Sequence, residues 1–569
     1  MAAILGINCY KHDSTATLLV DGEVVAAAEE ERFRRIKHYS GYPALAVEYV
    51  LREASLDPGD VDHIAFYMLP GLVMRENLAH SRYYLFRKGG FAFLLSQLNA
   101  SRKMRNIGVT AGDHLRGRLT APVTFVEHHR AHADAALFCS GFERAAVLTM
   151  DGVGERDTSI LASGSGSDLR IHSRSRFPNS PGIFYSAVTG YLGFKPDNDE
   201  YKVMGLSSYG RPLFLDLFRR MISADRGRIN VDTGLLDIHM GVHHASFRPE
   251  VSRVIGPPRM PGAPITGIHE DIACSAQKVL EEVGLSLARH LRMVSGEDRL
   301  VISGGVGLNC VMNGLIERES GFAQVYPMPA SHDAGTSLGA ALQVHRRFYP
   351  DVPLQVPAGM YLGPSYSEEE ILSELKMAKL SWQRPENLAV KTAELVAEGR
   401  IVALFNGRME FGPRALGNRS ILADPRREEM KDILNRVVKH REPFRPFCPS
   451  CLLESSGDYF QGCGEAPYMI KTYPVLEEKK GDIPSVTHVD GTARVQTVDR
   501  NVNPFYYQVI ESFQRITGVP VVLNTSFNIR GEPIVASPLD AIRCFYGTGI
   551  DDLVMPPFLL SKEGGKERS

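Results

Sequence analysis

No run of apolar residues in the 569-residue sequence approaches the roughly 20 needed to cross a bilayer. There is one tryptophan, and the eight cysteines are scattered over the whole length. Thiols so dilute do not make a disulfide scaffold; they suit a reducing cytoplasm, which is the expected location. Charge of one sign is also missing, with 64 Lys and Arg against 66 Asp and Glu, a formal net charge of −2. No global field draws such a chain to nucleic acid or to an anionic membrane, so neither is expected as a partner. The opening MAAILGINCYKHD has too short an apolar stretch and no basic leader, so no signal peptide is expected. What remains is ordinary globular composition, 44% apolar and 23% charged, in a chain too long for a single core.

The apolar runs are short, and turns separate them. AAILGIN gives a first strand, and Asp21-Gly22 is a hairpin turn between two further strand-like segments. The plan recurs in AAVLTMDGVGERDTSILASGSGS, which aligns Asp13-Ser14-Thr15 with Asp157-Thr158-Ser159. Two copies of a strand–turn–strand unit point to a duplicated nucleotide-handling fold of the actin/sugar-kinase kind; two unrelated hairpins are the alternative. RLVISGGVGLNCVMNGLI follows as strand, Gly-rich turn and helix, where Gly304, Gly305 and Gly307 let backbone N–H groups approach a phosphate or ribose. Asp333 then sits in a turn ahead of a small-residue helix. Pro353, Pro357 and Pro364 break the pattern, and the boundary is expected there. The expectation is an α/β protein with one domain over residues 1–355, a second over 356–562, and a disordered tail over 563–569.

Three groups of residues carry chemistry. In TFVEHHRAHADAALF, His128 and His132 stand four apart on one helix face, which makes half a metal site or a pair of surface or capping histidines. The second domain concentrates Arg408, Arg414, Arg419, Arg426, Lys439, His440, Arg441 and Arg445, then Arg494, Asn524, Ser526 and Arg530, among Gly and Pro. Guanidinium groups off any regular helical face suit a pocket for phosphorylated ligands. A nucleic-acid groove is disfavoured by the few interleaved aromatics. Cys448, Cys451 and Cys463 are read as buried thiols, with three zinc ligands as the alternative.

Ten ordered motifs then carry a resemblance. GINCYKHDSTATLLVDG, EEERFRRIKH, VEHHRAHADAA, LTMDGVGE, YKVMGLSSYG, SGGVGLNCVMNG, HDAGTSLGAAL, FGPRALGNRSILADPR, THVDGTARVQTV and LNTSFNIRGEPIV resemble the ATP-dependent O-carbamoyltransferases of natural-product biosynthesis, the family of nodulation-factor and antibiotic carbamoyltransferases. The resemblance implies a first domain like the tRNA threonylcarbamoyl-transfer enzyme and a YrdC-like second domain. It implies Fe2+, or another divalent transition metal, on His128, His132, Asp151 and Asp333. His332 departs from the small or acidic residue expected beside that aspartate.

It further implies carbamoyl-phosphate contacts at Arg414, Arg445, Arg494, Asn524 and Ser526, with Lys439 catalytic. ATP with Mg2+ would be the co-substrate and carbamoyl-adenylate the product of that domain. Gly304, Gly305 and Asn309, with Lys202 and Gly205, would lie near the nucleotide in the first domain. His12 would be the base for the acceptor hydroxyl, with Lys37 and His38 flanking the acceptor. That acceptor is expected to be a small natural product such as a macrolide, a glycoside or another antibiotic. Its pocket is expected from the regions 66–120 and 225–265, which hold Tyr83, Tyr84, Phe86, Phe91 and Phe93. The competing readings are a tRNA-adenosine modification enzyme and a non-enzymatic nucleotide-binding module. A homodimer is the default expectation.

Overall fold

The computed structural model describes residues 1–166 and 168–562; the expected tail lies outside them. The chain divides into two units, one of Met1–Glu30 and His38–Pro357, the other of Glu31–Lys37 and the chain from Ala358 on. The short segment Glu31–Lys37 therefore packs with the second unit although the sequence on both sides of it belongs to the first.

The first unit is built on two sheets of five strands. In the first sheet β1 (Ala3–Asn8), β2 (Thr15–Val20) and β3 (Glu23–Glu29) form an antiparallel meander, and β4 (His63–Phe66) and β5 (Val123–Phe125) extend it parallel to β1. Every residue of AILGIN is buried, as a central strand covered on both faces requires. Asp21 and Gly22 both take positive φ, the conformation a tight two-residue hairpin needs. The second sheet repeats the plan with β6 (Arg144–Met150), β7 (Asp157–Ser165), β8 (Asp168–Arg176), β9 (Arg299–Ser303) and β10 (Gln324–Pro327). Its order, β8-β7-β6-β9-β10, matches β3-β2-β1-β4-β5 strand for strand, with the same parallel and antiparallel pairs. This is the duplicated actin/sugar-kinase-like arrangement expected from the two hairpins.

In each half the fifth strand feeds a helix, His128–Cys139 after β5 and Thr336–Phe348 after β10. The two helices meet backbone to backbone. A Cβ on Gly339 would lie 1.8 Å from the Ala131 carbonyl oxygen, and one on Gly6 would lie 2.1 Å from that of Ser337. Only glycine allows so close an approach. This packing fixes the N-terminal end of one helix beside that of the other.

The second unit carries a seven-stranded sheet. Gln496–Val498, Cys448–Leu452, Val521–Ser526, Arg419–Ala423, Val402–Phe405, Asp552–Met555 and Phe558–Ser561 lie side by side in that order. One apolar core runs beneath it, and the only tryptophan of the sequence, Trp382, packs against that core. Among the described residues no helix is long and apolar enough to cross a membrane.

Candidate metal centre and anion site

His128 opens its helix, and His132 follows one turn later on the same face. The β6 strand ends at Met150 and delivers Asp151 into the turn before β7, while Asp333 begins the turn ahead of Thr336–Phe348. One ligand atom from each of these four side chains lies within 4.8 Å of all the others. His128 Nε2 is 2.9 Å from Asp151 Oδ2 and 3.7 Å from Asp333 Oδ1. His132 Nε2 is 3.6 Å from Asp333 Oδ1 and 3.2 Å from His128 Nε2. Both histidines are buried.

Two imidazole nitrogens aimed at each other between two carboxylates need a positive charge between them. Burial works against a charged His128, yet Asp333 and Asp151 outweigh it and push its pKa up to about 9. A divalent cation meets the same demand, and the N2O2 donor set suits iron, manganese or zinc. The residues fit the metal that the resemblance implies.

The supporting groups were not evident in the sequence. Gly305 N–H donates to Asp151 Oδ1 at 2.9 Å, which turns the other carboxylate oxygen toward His128. Ser303 Oγ is 3.2 Å from His132 Nδ1. The buried Glu155 accepts from the backbone N–H groups of Leu69 and His128, at 2.9 and 3.1 Å, and so caps the helix that carries the histidines. Its one sequence signal was an acid in the Gly-rich turn four residues after Asp151. Gly154 is needed there, because a Cβ would lie 2.9 Å from the His128 ring.

A second cluster lies in the β1–β2 turn. The buried Asp13 accepts from His12 Nδ1 at 2.6 Å and from His38 Nδ1 at 2.8 Å, and His332 Nε2 stands 3.7 Å away. His332, the departure from the family pattern, thus faces Asp13. His12 Nε2 is 2.9 Å from the Asp197 main-chain carbonyl. Both ring nitrogens therefore face acceptors. Burial opposes charge on His12, but Asp13, Asp197 and Asp333 more than offset it and raise its pKa well above the usual value.

The other first-domain candidates divide. Gly304, at φ +90, and Gly305 form the turn beside Asp151, where a Cβ on Gly304 would meet the Met150 carbonyl oxygen at 2.2 Å. Asn309 is a helix N-cap instead. Its Oδ1 accepts from Met312 N–H and its amide pairs with Gln277. Lys202 pairs with Asp199 at 3.0 Å, and Gly205 lies within the short helix Glu200–Leu206. Lys37 belongs to the Glu31–Lys37 segment of the second unit, where its charge bears on Lys439, whereas His38 stays in the first unit on Asp13.

In the second unit Lys439 ends a wide helical turn, before His440 in left-handed conformation. Its buried Nζ donates to the carbonyl oxygens of Ser526 and Asn528 and to Asn528 Oδ1. Burial, then the charges of Arg441, Arg445 and Lys37, hold that amine well below the usual lysine pKa. Ser526 Oγ donates to Asn528 Oδ1, and Asn524 Nδ2 donates to Ser450 Oγ and Gln496 Oε1, both at 3.0 Å. Arg494 Nε donates to Cys448 Sγ at 3.0 Å, and Arg445 stands 3.6 Å from Glu442.

The arginine cluster read from the sequence therefore separates into two kinds. Arg419, fully buried, donates to the carbonyls of Asn406, Gly407, Asn418 and Pro364 and lies over the Phe405 ring, so it is a structural tie. Arg426 is closed on Asp424, and Arg408 on the carbonyls of Leu362 and Gly363. Glu410, unnoticed in the sequence, accepts the N–H groups of Leu416, Asn418 and Arg419 and pins the loop that carries Arg414. The eight cysteines are all buried thiols, and among the described residues Cys448, Cys451 and Cys463 form no metal-ligand group. Cys448 and Cys451 point to opposite faces of one strand.

Comparison with known proteins agrees with the motif reading. The family described as Carbamoyltransferase N-terminus matches residues 3–342, and Carbamoyltransferase C-terminus matches residues 393–562. A protein of Synechocystis is 40% identical over 100% of this chain and 98% of its own length. The nodulation protein NolNO of Sinorhizobium fredii is 38% identical over 98% of this chain and 80% of its own. The 3'-hydroxymethylcephem-O-carbamoyltransferase of Amycolatopsis lactamdurans is 36% identical over 45% of this chain and 47% of its own. The chain belongs to the carbamoyltransferase family and is an O-carbamoyltransferase, an enzyme that places a carbamoyl group on a hydroxyl oxygen.

Proposed function

We propose that the second unit activates carbamoyl phosphate with MgATP to carbamoyl-adenylate, and that the first unit transfers the carbamoyl group to a hydroxyl of a small natural product. The observation that carries this reading is that the two units hold charge constellations opposite in kind. Imidazoles and carboxylates converge in the first unit, and a lysine among arginines in the second.

In the second unit, read as YrdC-like, Arg414, Arg445 and Arg494 would take the phosphate oxygens of the two polyanions and offset their repulsion. Asn524 and Ser526 would orient the carbamoyl end. Lys439, whose amine gives up its proton far more readily than an exposed lysine, would move a proton as water takes the phosphoryl group of carbamoyl phosphate and phosphate leaves; an oxygen of the freed carbamate then bonds the α-phosphorus of ATP as the bond from that phosphorus to the pyrophosphate oxygen breaks. Pyrophosphate is the other product of that step.

In the first unit His128, His132, Asp151 and Asp333 would hold Fe2+ or a like cation, which would lend Lewis acidity toward a phosphate leaving group. The Gly304–Gly305 turn adjoins that set through the Gly305 N–H on Asp151. His12 would receive the acceptor proton once the Asp197 carbonyl leaves Nε2. A cation on Asp333 would offset one of the charges that raise the His12 pKa. One relative is named as a 3'-hydroxymethylcephem-O-carbamoyltransferase, which supports a small hydroxylated acceptor for this chain.

The test is ATP–pyrophosphate exchange, run with and without carbamoyl phosphate, beside a screen of hydroxylated natural products for carbamoyl addition by mass. Exchange that depends on carbamoyl phosphate is expected. An enzyme that never consumes ATP in its presence would rule the scheme out.

A further inference from the structure

Asp197 is a non-glycine residue held at φ +63, in the loop between the helices Pro181–Tyr191 and Glu200–Leu206. Its N–H donates to Glu200 Oε1 at 2.8 Å, and Glu200 in turn accepts from Ser186 Oγ at 2.7 Å, so the strained conformation is fixed from behind. It presents two oxygens forward. The main-chain carbonyl sits on His12 Nε2, and carboxylate Oδ2 lies 3.7 Å from His12 Nε2 and 3.7 Å from His243 Nε2. Exposure rises along this line, from 25% for the His12 side chain to 34% for Asp197 and 66% for His243. His243 follows Val242, whose methyl group packs where a Cβ on Gly152 would lie, 3.7 Å away and one residue from Asp151. The line thus starts at the candidate base, runs past the metal-ligand turn and opens to solvent. Near His243 in sequence, His239 stacks on Tyr83 at 4.6 Å and His244 lies edge-on to Phe93.

Resting on the transfer reaction proposed above, we infer that the acceptor seat takes two neighbouring hydroxyls, one on His12 Nε2 in place of the Asp197 carbonyl and the other between the Asp197 carboxylate and His243. Asp197 and His243 are then positioning residues that select a vicinal diol over a lone alcohol. In the transfer step the seated oxygen forms its bond to the carbamoyl carbon and its proton passes to His12 Nε2. The bond from that carbon to the leaving phosphate oxygen breaks, and its electron pair stays with the phosphate. The second hydroxyl donates to the Asp197 carboxylate throughout and is not consumed.

The seat can be probed before the natural acceptor is known. Metal-loaded enzyme with carbamoyl phosphate and MgATP is offered 1,2-propanediol or 1-propanol, and the carbamate esters and pyrophosphate are measured separately. The wild type should favour the diol by about tenfold in kcat/KM, since a site built to bind a hydroxyl rejects the analogue without it. Asp197→Gly keeps the positive φ without strain and removes only the carboxylate, and His243→Ala changes an exposed side chain. Each should bring the two alcohols close to parity, mainly by raising KM for the diol. Pyrophosphate release with no diol preference in the wild type, or a preference that survives both substitutions, overturns the seat alone. Absence of pyrophosphate release in every arm overturns the donor chemistry and the seat together.

Discussion

The two units use charge in opposite ways. In the first, carboxylates and imidazoles from both copies of a duplicated sheet face one another across a few ångströms. His128, His132, Asp151 and Asp333 bring four ligand atoms together there, a set that a divalent cation would complete. In the second, the cations are supplied by the chain itself, and the question is which of them are spent. Arg419 and Arg426 are closed on carbonyls and a carboxylate of their own fold, whereas Lys439 is buried and pressed to lose its proton. A cluster of like residues is therefore not one site; the partners of each member decide its role.

The largest effects should come from crossing the two sites. His132→Ala is expected to lower carbamoyl transfer on the order of a thousandfold while carbamoyl-phosphate-dependent pyrophosphate exchange persists. Lys439→Ala should lose the exchange by a similar factor. Metal content by mass spectrometry separates them further, because only the first variant should fall below one equivalent. Equal loss of both activities in both variants would break the division.

Next in size is the contrast within the arginines. Arg419→Ala strands four carbonyls and opens a cavity, and a cost of about 3–5 kcal/mol is expected. Arg414→Ala should cost under about 1 kcal/mol, and its effect should appear as a raised KM for carbamoyl phosphate. The single tryptophan makes the measurement local, since Trp382 packs on the second unit's core and its fluorescence in urea reports that unit. Similar urea midpoints for the two variants would refute the sorting.

The contrast also explains what could be seen in advance. The strand–turn–strand repeat and the His128/His132 pair were legible because their information is local, in alternation, turn residues and helical spacing. Asp151 and Asp333 were reached only through the motif match, since nothing in their own neighbourhoods points to a partner far along the chain. Arg408, Arg419 and Arg426 misled because sequence gives the charge and withholds the acceptor. Asn309 shows the same limit, since the end of a Gly-rich turn is also a natural helix cap and sequence does not show the Gln277 amide that its side chain meets. Glu155 and Glu410 stayed hidden because each binds backbone N–H groups, which every segment of sequence offers alike. The passage of Glu31–Lys37 into the second unit left no compositional trace at all.

A pH experiment sharpens the comparison at the level of a few kcal/mol. Burial, with the charge of Arg494 assisting and Asp490 opposing, lowers the pKa of His488 to about 4. Its unfolded value is near 6.5, so as pH falls below about 6.5 the unfolded chain takes a proton that the folded unit refuses. The stability that His488 contributes is complete above that pH and declines through the window down to about 4, by about 3 kcal/mol in all. Trp382 fluorescence should show the urea midpoint falling between pH 6.5 and 5, before most carboxylates titrate, and His488→Gln should flatten the slope. A wild-type midpoint constant over that window would show that His488 is charged in the folded unit.

The smallest effect tests whether the metal centre depends on groups that never touch the ligand. Glu155 lies behind His128 and holds it only through the backbone, where one carboxylate oxygen accepts the N–H of Leu69 and of His128 itself. Its removal frees the first turn of the helix and leaves two buried donors unsatisfied, while His128, His132, Asp151 and Asp333 remain. Glu155→Ala should weaken metal binding about tenfold, the usual cost of losing a group that orients a ligand. Glu155→Gln keeps an acceptor oxygen and loses only the negative charge at the helix start, so it should recover most of that factor. Competition with a chelator measures both, and the metal-free proteins can be compared for stability in parallel. If the alanine variant loses stability but binds metal as tightly as the wild type, the cap serves the fold alone. If the glutamine variant is as weak as alanine, the charge matters more than the hydrogen bonds, and Glu155 belongs to the electrostatics of the centre.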